Sequence, residues 1–426
     1  MQLIKNAKIL EHGNLVKRDV LIEAKKIIQV AENVTQEDAD IFDAKGAFLS
    51  SGLVDVHVHF REPGFNYKET IETGSKAAAH GGFTTVLAMP NLNPVPDTAA
   101  RVASQIKLNN KSSNIHIAQY GAISANLTHQ NISDIVGMSE AGAVAFSNDG
   151  KGVQTADTML QAMIAAAKVD KPLAAHLEDD SLLHHGVMNA GKQSEKLNLP
   201  GITGLAESSQ LARDLVLAKA TGVHYHVAHI STKTSVELVR IAKQQGINVT
   251  AEVSPHHILL ADTDITNDNA LYKMNPPLRS QADRQAVVAG LLDGTIDMIA
   301  TDHAPHGLDE KSKSFVEAPF GITGIETSFQ LLYTHLVKSG IMTLETLLDR
   351  MITAPITAFH LNAPKVIKSG NTADLALFDL DHTVTIATED FESKGKNTPF
   401  IGWQIYGQTI ATWVDGVIVY TNNFEL

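Results

Sequence analysis

The sequence predicts an α/β protein: a (β/α)8 TIM-like barrel carrying a small β-sandwich domain built from both ends of the chain. Two observations carry this reading. Over about 300 central residues, eight short apolar runs alternate with helical patterns at roughly 30-residue spacing. Before and after that region, short apolar runs alternate with turn residues, as in small antiparallel sheets. The barrel is expected over residues 51–364 and the composite small domain over 1–50 and 365–426. An open doubly wound sheet is the alternative for the same alternation.

In chain order, the N-terminal strand material is Leu3-Ile4, Lys8-Ile9-Leu10, Asp19-Val20-Leu21-Ile22 and Lys26-Ile27-Ile28-Gln29-Val30, with a turn near His12-Gly13-Asn14. The barrel strands are expected at residues 53–59, 83–88, 115–119, 143–146, 173–176, 223–229, 248–252 and 297–302. Helical patterns separate them; from Thr155 to Lys168, for example, Met159, Met163 and Ala166 recur at i, i+4, i+7. The C-terminal strands fall at residues 373–378, 383–386, 409–414 and 417–420, punctuated by Gly370, Gly402, Gly407 and Gly416. The sequence has no internal repeat, no low-complexity tract and no glycine-rich phosphate loop.

Composition narrows the function. The 426 residues include 34 basic and 47 acidic side chains, a net charge of −13, with no dense Lys/Arg stripe. No nucleic-acid partner is expected, and the ligands should be small molecules. The absence of cysteine excludes disulfides, thiolate-held zinc, iron–sulfur clusters and a cysteine nucleophile, and fits a reducing compartment. No uninterrupted apolar run nears the roughly 18 residues that span a bilayer. Lys5, Lys8 and Glu11 interrupt the N-terminal apolar residues before a signal-peptide core forms. A cytoplasmic protein with no membrane partner is expected.

Any metal site must therefore use histidines and carboxylates. His57 and His59 end the first barrel strand, and because residues i and i+2 of a strand share a face, both imidazoles can reach one cation. Alone, such a pair is weak evidence and reads more readily as two ordinary strand-end histidines. Asp149 follows the fourth strand, His176 ends the fifth, His229 the sixth and Asp302 the eighth. All six fall on the C-terminal face, where barrel enzymes build their active sites. Four imidazoles and two carboxylates exceed one tetrahedral zinc and fit two, with a carboxylate bridging and one solvent oxygen shared. In residues 223–229, strand parity sets His224 and His226 opposite His229, leaving His226 as packing or as a residue behind the ligands. His80, His116, His129, His184, His185 and His360 read as structural or solvated. His256 and His257, after Ser254-Pro255, read as packing or as shaping the site.

The string Gly52-Leu53-Val54-Asp55-Val56-His57-Val58-His59-Phe60-Arg61-Glu62-Pro63-Gly64 resembles the signature of dihydroorotases within the amidohydrolase superfamily. Thr301-Asp302-His303-Ala304-Pro305-His306 resembles their second signature. Met89-Pro90-Asn91, Ser147-Asn148-Asp149-Gly150, His229-Ile230-Ser231-Thr232 and the terminal β segments extend the likeness over essentially the whole chain. The resemblance implies reversible cyclisation of N-carbamoyl-L-aspartate to L-dihydroorotate in pyrimidine (UMP) biosynthesis, with two Zn2+ or other divalent ions per chain and a homodimeric assembly. It implies that His57, His59 and Asp302 hold one metal and His176 and His229 the other. Asp149 would bridge them, as in the bacterial type I branch that uses aspartate rather than a carboxylated lysine. Lys151, two residues on, leaves a lysine bridge open, and Asn148 departs from an aspartate common in that branch.

In the mechanism this implies, two ions acidify a shared water and polarise the amide carbonyl, while Asp302 takes the proton and passes it to the departing ring nitrogen. By the same resemblance Arg61, Asn91 and His306 would hold the carboxylate of the anionic substrate, and Asn275 and the backbone at Phe320-Gly321 would meet the ring amides. Arg61 also stands on its chemistry, since a guanidinium fork pairs bidentately with a carboxylate. The polar segment 307–319 reads as a lid or as a solvated loop. Two rivals remain: a hydantoinase (dihydropyrimidinase) or allantoinase on the same barrel, whose neutral substrates need no Arg61, and a non-catalytic scaffold of the same fold.

Overall fold

The computed structural model describes residues 1–128 and 131–422; His129 lies outside the described residues. The N-terminal runs form β1 (Gln2–Glu11), β2 (Asn14–Glu23), β3 (Lys26–Ala31), β4 (Asp40–Asp43) and β5 (Phe48–Ser51). β1 and β2 make a hairpin through His12 and Gly13, both at positive φ, the backbone that suits the strands' twist in a two-residue turn.

The barrel consists of β6 (Leu53–Val58), β7 (Phe83–Ala88), β8 (His116–Ala122), β9 (Ala145–Ser147) and β10 (Leu173–Ala175). A small ribbon, β11 (Met188–Asn189) with β12 (Gly201–Ile202), interrupts it. β13 (Tyr225–Val227), β14 (Val249–Val253) and β15 (Met298–Ile299) complete it. All eight pair in parallel in sequence order, and the last returns to the first through a bridge between His303 and Val58. The helices between them start where a hydroxyl can cap them: Thr98, Thr155, Thr232 and Ser280 each accept from the backbone N–H three residues on.

The C-terminal segment gives β16 (Leu375–Asp379), a ribbon of β17 (Val384–Thr385) and β18 (Gln404–Ile405), then β19 (Gln408–Val414) and β20 (Val417–Thr421). The terminal strands join in one mixed sheet, β20-β19-β16-β5-β1-β2-β3, with β4 also on β1. Strand alternation sorts its side chains. Leu49, Leu375 and Leu377 enter a core of the sheet's own with Ile4, Val20 and Trp413, while Phe48 and Phe378 face the other way and join the barrel's main core. A smaller apolar cluster, with Val56, Leu87, Tyr120, Ala174, Met298 and Phe359, fills the barrel interior. No helix among the described residues is long and apolar enough to cross a membrane.

Candidate functional site

Six of the expected side chains converge at the C-terminal ends of the barrel strands, all buried. Asp149, just beyond β9, is the centre. Its Oδ1 lies 3.2 Å from His57 Nε2, 3.3 Å from His229 Nε2 and 3.5 Å from His176 Nδ1, and its Oδ2 lies 3.3 Å from His59 Nε2. Asp302 Oδ1 stands 3.1 Å from His59 Nε2 and 3.4 Å from His57 Nε2. Two donor groups result, His57/His59/Asp149 and Asp149/His176/His229, sharing Asp149. Lys151 is exposed. Asn148 turns away from the centre: its amide bonds the backbone N–H and the hydroxyl of Ser124.

Backbone conformation aims several of these groups. His229 (φ 31°), Asp302 (φ 49°) and Arg61 (φ 59°) all sit in the left-handed region, a strain on the order of 1–3 kcal/mol each that packing must sustain. His229 corrects the parity argument. β13 ends at Val227, and the positive φ swings His229 inward, while Tyr225 faces a helix through its bond to Asp214 and His226 faces the barrel interior against Phe359. His226 and His229 thus approach the same site.

Three of the four imidazoles have their second nitrogen held. His57 Nδ1 lies 2.5 Å from Glu252 Oε1, His59 Nδ1 lies 2.8 Å from Asn91 Oδ1, and His176 Nε2 lies 3.0 Å from Glu178 Oε2. Each remaining nitrogen faces the central carboxylates. His57 Nε2 makes no hydrogen bond among the described residues. A buried imidazole nitrogen that no protein group satisfies, among nitrogen and oxygen donors, suits coordination of a divalent cation such as zinc.

The electrostatics ask for positive charge. Burial opposes a proton on His57, yet Asp149, Glu252 and Asp302 outweigh it and hold its pKa well above the usual value. Burial likewise opposes a proton on His176, but Asp149 and Glu178 push it up to about 10. Burial, helped by Arg61, pushes His59 down. Burial works against the charge of Asp149 and Asp302 too, but the imidazoles, His57 foremost, hold both carboxyls well below their usual range.

The residues expected to meet substrate lie around this centre with mixed engagement. Buried Arg61 spends its Nε–H on the Pro305 carbonyl at 3.3 Å, and its terminal nitrogens bond no protein group among the described residues. Asn91 gives its carbonyl oxygen to His59, which leaves its NH2 toward Gly150. Asn275 donates to both oxygens of Glu178 at 3.0 Å. His306 donates through Nε2 to the Phe320 carbonyl at 2.8 Å, and its Nδ1 is 3.2 Å from Lys68 Nζ. Burial, with Arg61 and Lys68 nearby, pushes His306 down to about 3, so it is a neutral imidazole already engaged by the protein. Gly321 adopts φ 122° in contact with Ala304 and His306.

Segment 307–319 is exposed along much of its length, at Leu308, Asp309, Ser312, Lys313, Val316 and Glu317, but is anchored at Lys311, Phe315 and Ala318. Phe315 is fully buried, and Lys311 donates to the carbonyls of Lys273, Pro319 and Gly321. Of the ambiguous pair, His257 donates to the Pro276 carbonyl beside Asn275, and His256 is buried with an Nε2 that bonds nothing among the described residues. Sequence reasoning missed Glu252, Glu178 and Asp55. Each had a weak signal: Glu252 is the lone acid in a strand of small and apolar residues, and Glu178 and Asp55 stand two residues from His176 and His57. Asp55 bonds His57 N and the backbone and hydroxyl of Thr301, tying the first strand to the last.

The family model described as dihydro-orotase-like matches residues 46–235. The chain is 55% identical to a dihydroorotase of Lactobacillus leichmannii and 57% identical to one of Ligilactobacillus salivarius, covering 98% of each chain in both cases. Among solved structures it is similar to an L-hydantoinase (dihydropyrimidinase) from Arthrobacter aurescens, at 25% identity and a TM-score of 0.86, covering 100% of this chain and 97% of that one.

Proposed function

The chain belongs to the dihydroorotase family, and from that premise we propose that it interconverts L-dihydroorotate and N-carbamoyl-L-aspartate, opening the cyclic amide with water and closing it in reverse. Relatives so named share more than half of its residues over nearly their whole length, against a quarter for the hydantoinase, which favours the anionic substrate over a neutral one. The reaction is assigned to pyrimidine biosynthesis. A homodimer rests on the family resemblance alone, a cytoplasmic location on the cysteine-free composition.

One observation carries the chemistry: three imidazoles pinned by second partners turn their other nitrogens on two buried carboxylates, the arrangement that orients metal-binding histidines. His57, His59 and Asp302 would hold one ion, His176 and His229 a second, and Asp149 would bridge them; zinc suits these donors. Divalent ions held there supply Lewis acidity to the amide carbonyl and bring the pKa of water toward neutrality. Asp302, kept ionised by the neighbouring imidazoles, takes a proton from the attacking water and returns it to the departing ring nitrogen. Arg61 pairs with the ring carboxylate and the Asn91 NH2 assists it, while the backbone at Phe320-Gly321 meets the ring amides beside its present bonds, Gly321 N–H to the Lys273 carbonyl and His306 to the Phe320 carbonyl. Asn275 and His306 reach substrate only by giving up their present partners.

Purified chain loaded with zinc should hydrolyse L-dihydroorotate and cyclise carbamoyl aspartate, with little turnover of hydantoin or allantoin. Turnover of hydantoin but not of dihydroorotate would transfer the chain to the neutral-substrate reading.

A further inference from the structure

Glu252 sits at the junction of a hydrogen-bonded chain longer than its contact with one imidazole. It is the only acid of β14 and is 1% exposed. Its Oε1 accepts from His57 Nδ1 at 2.5 Å and from the backbone N–H of His229 at 3.3 Å. Its Oε2 lies 2.9 Å from His226 Nε2. His226 Nδ1 is 2.8 Å from the Thr250 hydroxyl, which is 2.8 Å from His224 Nε2. From His57 at the C-terminal end of the strands, the chain reaches His224 just before β13.

Counting hydrogens orients the first links. An ionised carboxylate only accepts, so His57 Nδ1 and His226 Nε2 both carry hydrogens. The Thr250 hydroxyl then joins His226 Nδ1 to His224 Nε2. His57 therefore keeps its hydrogen on Nδ1, and Nε2, the atom that faces Asp149 and Asp302, is the one that gives up its proton when a cation binds.

We propose that Glu252, oriented by the His226–Thr250–His224 chain behind it, is the positioning residue that sets both halves of the metal centre at once, holding His57 as its Nδ1–H tautomer through the ring and His229 through its backbone. This rests on the reading of His57 and His229 as metal ligands.

The test is zinc affinity of the full chain, by competition with a chromophoric chelator, beside the Tm of the metal-free protein. Glu252→Gln should weaken zinc binding about 10- to 100-fold. The metal-free Tm should stay close to the parent's, and excess zinc should restore kcat with the KM for dihydroorotate unchanged. His226→Leu should weaken binding several-fold, and His226→Gln, which keeps an N–H donor for Glu252, should recover most of that loss. Parental zinc affinity in Glu252→Gln, or a lowered Tm without any change in affinity, overturns the proposal, as do equal losses in the two His226 variants. If Glu252→Gln does not fold, the His226 pair decides by the same criterion. A parent chain that binds no zinc defeats the metal-centre reading itself, a result distinct from the others.

Discussion

Asp302 and Arg61 both hold left-handed backbone at strand ends, and each serves a different part of the substrate. A general acid–base contributes about 10²- to 10⁴-fold in rate, so Asp302→Ala should lower kcat by at least that factor even with zinc in excess. A variant turning over near the parental rate would remove Asp302 from the proton path. Arg61→Met should lower kcat/KM for dihydroorotate by about 10- to 1000-fold, the worth of one or two charged hydrogen bonds, with metal content unchanged. Neutral cyclic amides should feel little of it; equal loss on both substrates would break the carboxylate assignment. The raised pKa values of His57 and His176 give a pH prediction. Both imidazoles hold protons at neutral pH in the metal-free chain, so zinc binding should release about two protons, one from each. Affinity should therefore climb with pH, the His176 contribution ending near pH 10, as calorimetry in buffers of differing ionisation enthalpy would read. At this scale the six central residues were legible because each ends or follows an apolar run. Glu252 was not, because its partners His57 and His226 come from other strands of the barrel; Glu178, two residues past His176, lies beyond its strand where no periodicity aims it; and His229 departed from strand parity because β13 ends at Val227.

Segments between strands show where composition misleads. The run from Gly307 to Pro319 reads as a lid or a solvated loop, and Asp309, Lys313 and Glu317 are indeed exposed, yet Lys311 is buried with its Nζ on three backbone carbonyls, and Phe315 is buried with it. No local pattern announces those carbonyls, which come from Lys273, Pro319 and Gly321. The strands were the readable elements, each an apolar run bounded by polar or turn residues, though β13 and β15 are shorter than their runs because the backbone turns out toward the site. The backbone at Gly321, beside the site, is sensitive to a single atom. A Cβ there would stand 2.7 Å from the Ala304 Cβ and 3.1 Å from His306 Nε2, on a backbone at φ 122° that other residues avoid. Gly321→Ala should displace that backbone, and a shift of about 1 Å at a substrate contact costs on the order of 10²-fold in kcat/KM. Parental kinetics in that variant would show that it does not meet substrate.

For the molecule as a whole, the barrel and the terminal sheet are bound through shared aromatic packing. Phe378 of β16 lies against Phe48 of β5, with ring centroids 6.4 Å apart, and against Phe329 at 4.1 Å. Phe378→Ala should cost about 3–5 kcal/mol. Because the residue belongs to the barrel's own core, guanidinium unfolding of the variant should remain one transition, with tryptophan fluorescence from Trp403 and Trp413 and far-ultraviolet dichroism coinciding at a lower midpoint. Separate transitions would mean that the sheet unfolds independently. The barrel and the pairing of the termini were legible from periodicity; that Asp55 and Thr301 would tie the first strand to the last was not, since nothing local marks a bond across the whole barrel. The same topology governs how the chain must be made. β5 pairs with β16 about 320 residues later, so at roughly 5–20 residues per second the ribosome delivers the partner on the order of 15–65 s after β5 itself emerges. Every nascent copy passes through an interval in which the Phe48-Leu49-Ser50-Ser51 edge is synthesised and unpaired. A chain stalled or cleaved before Leu375 keeps that edge open, free to be captured by a strand from another copy.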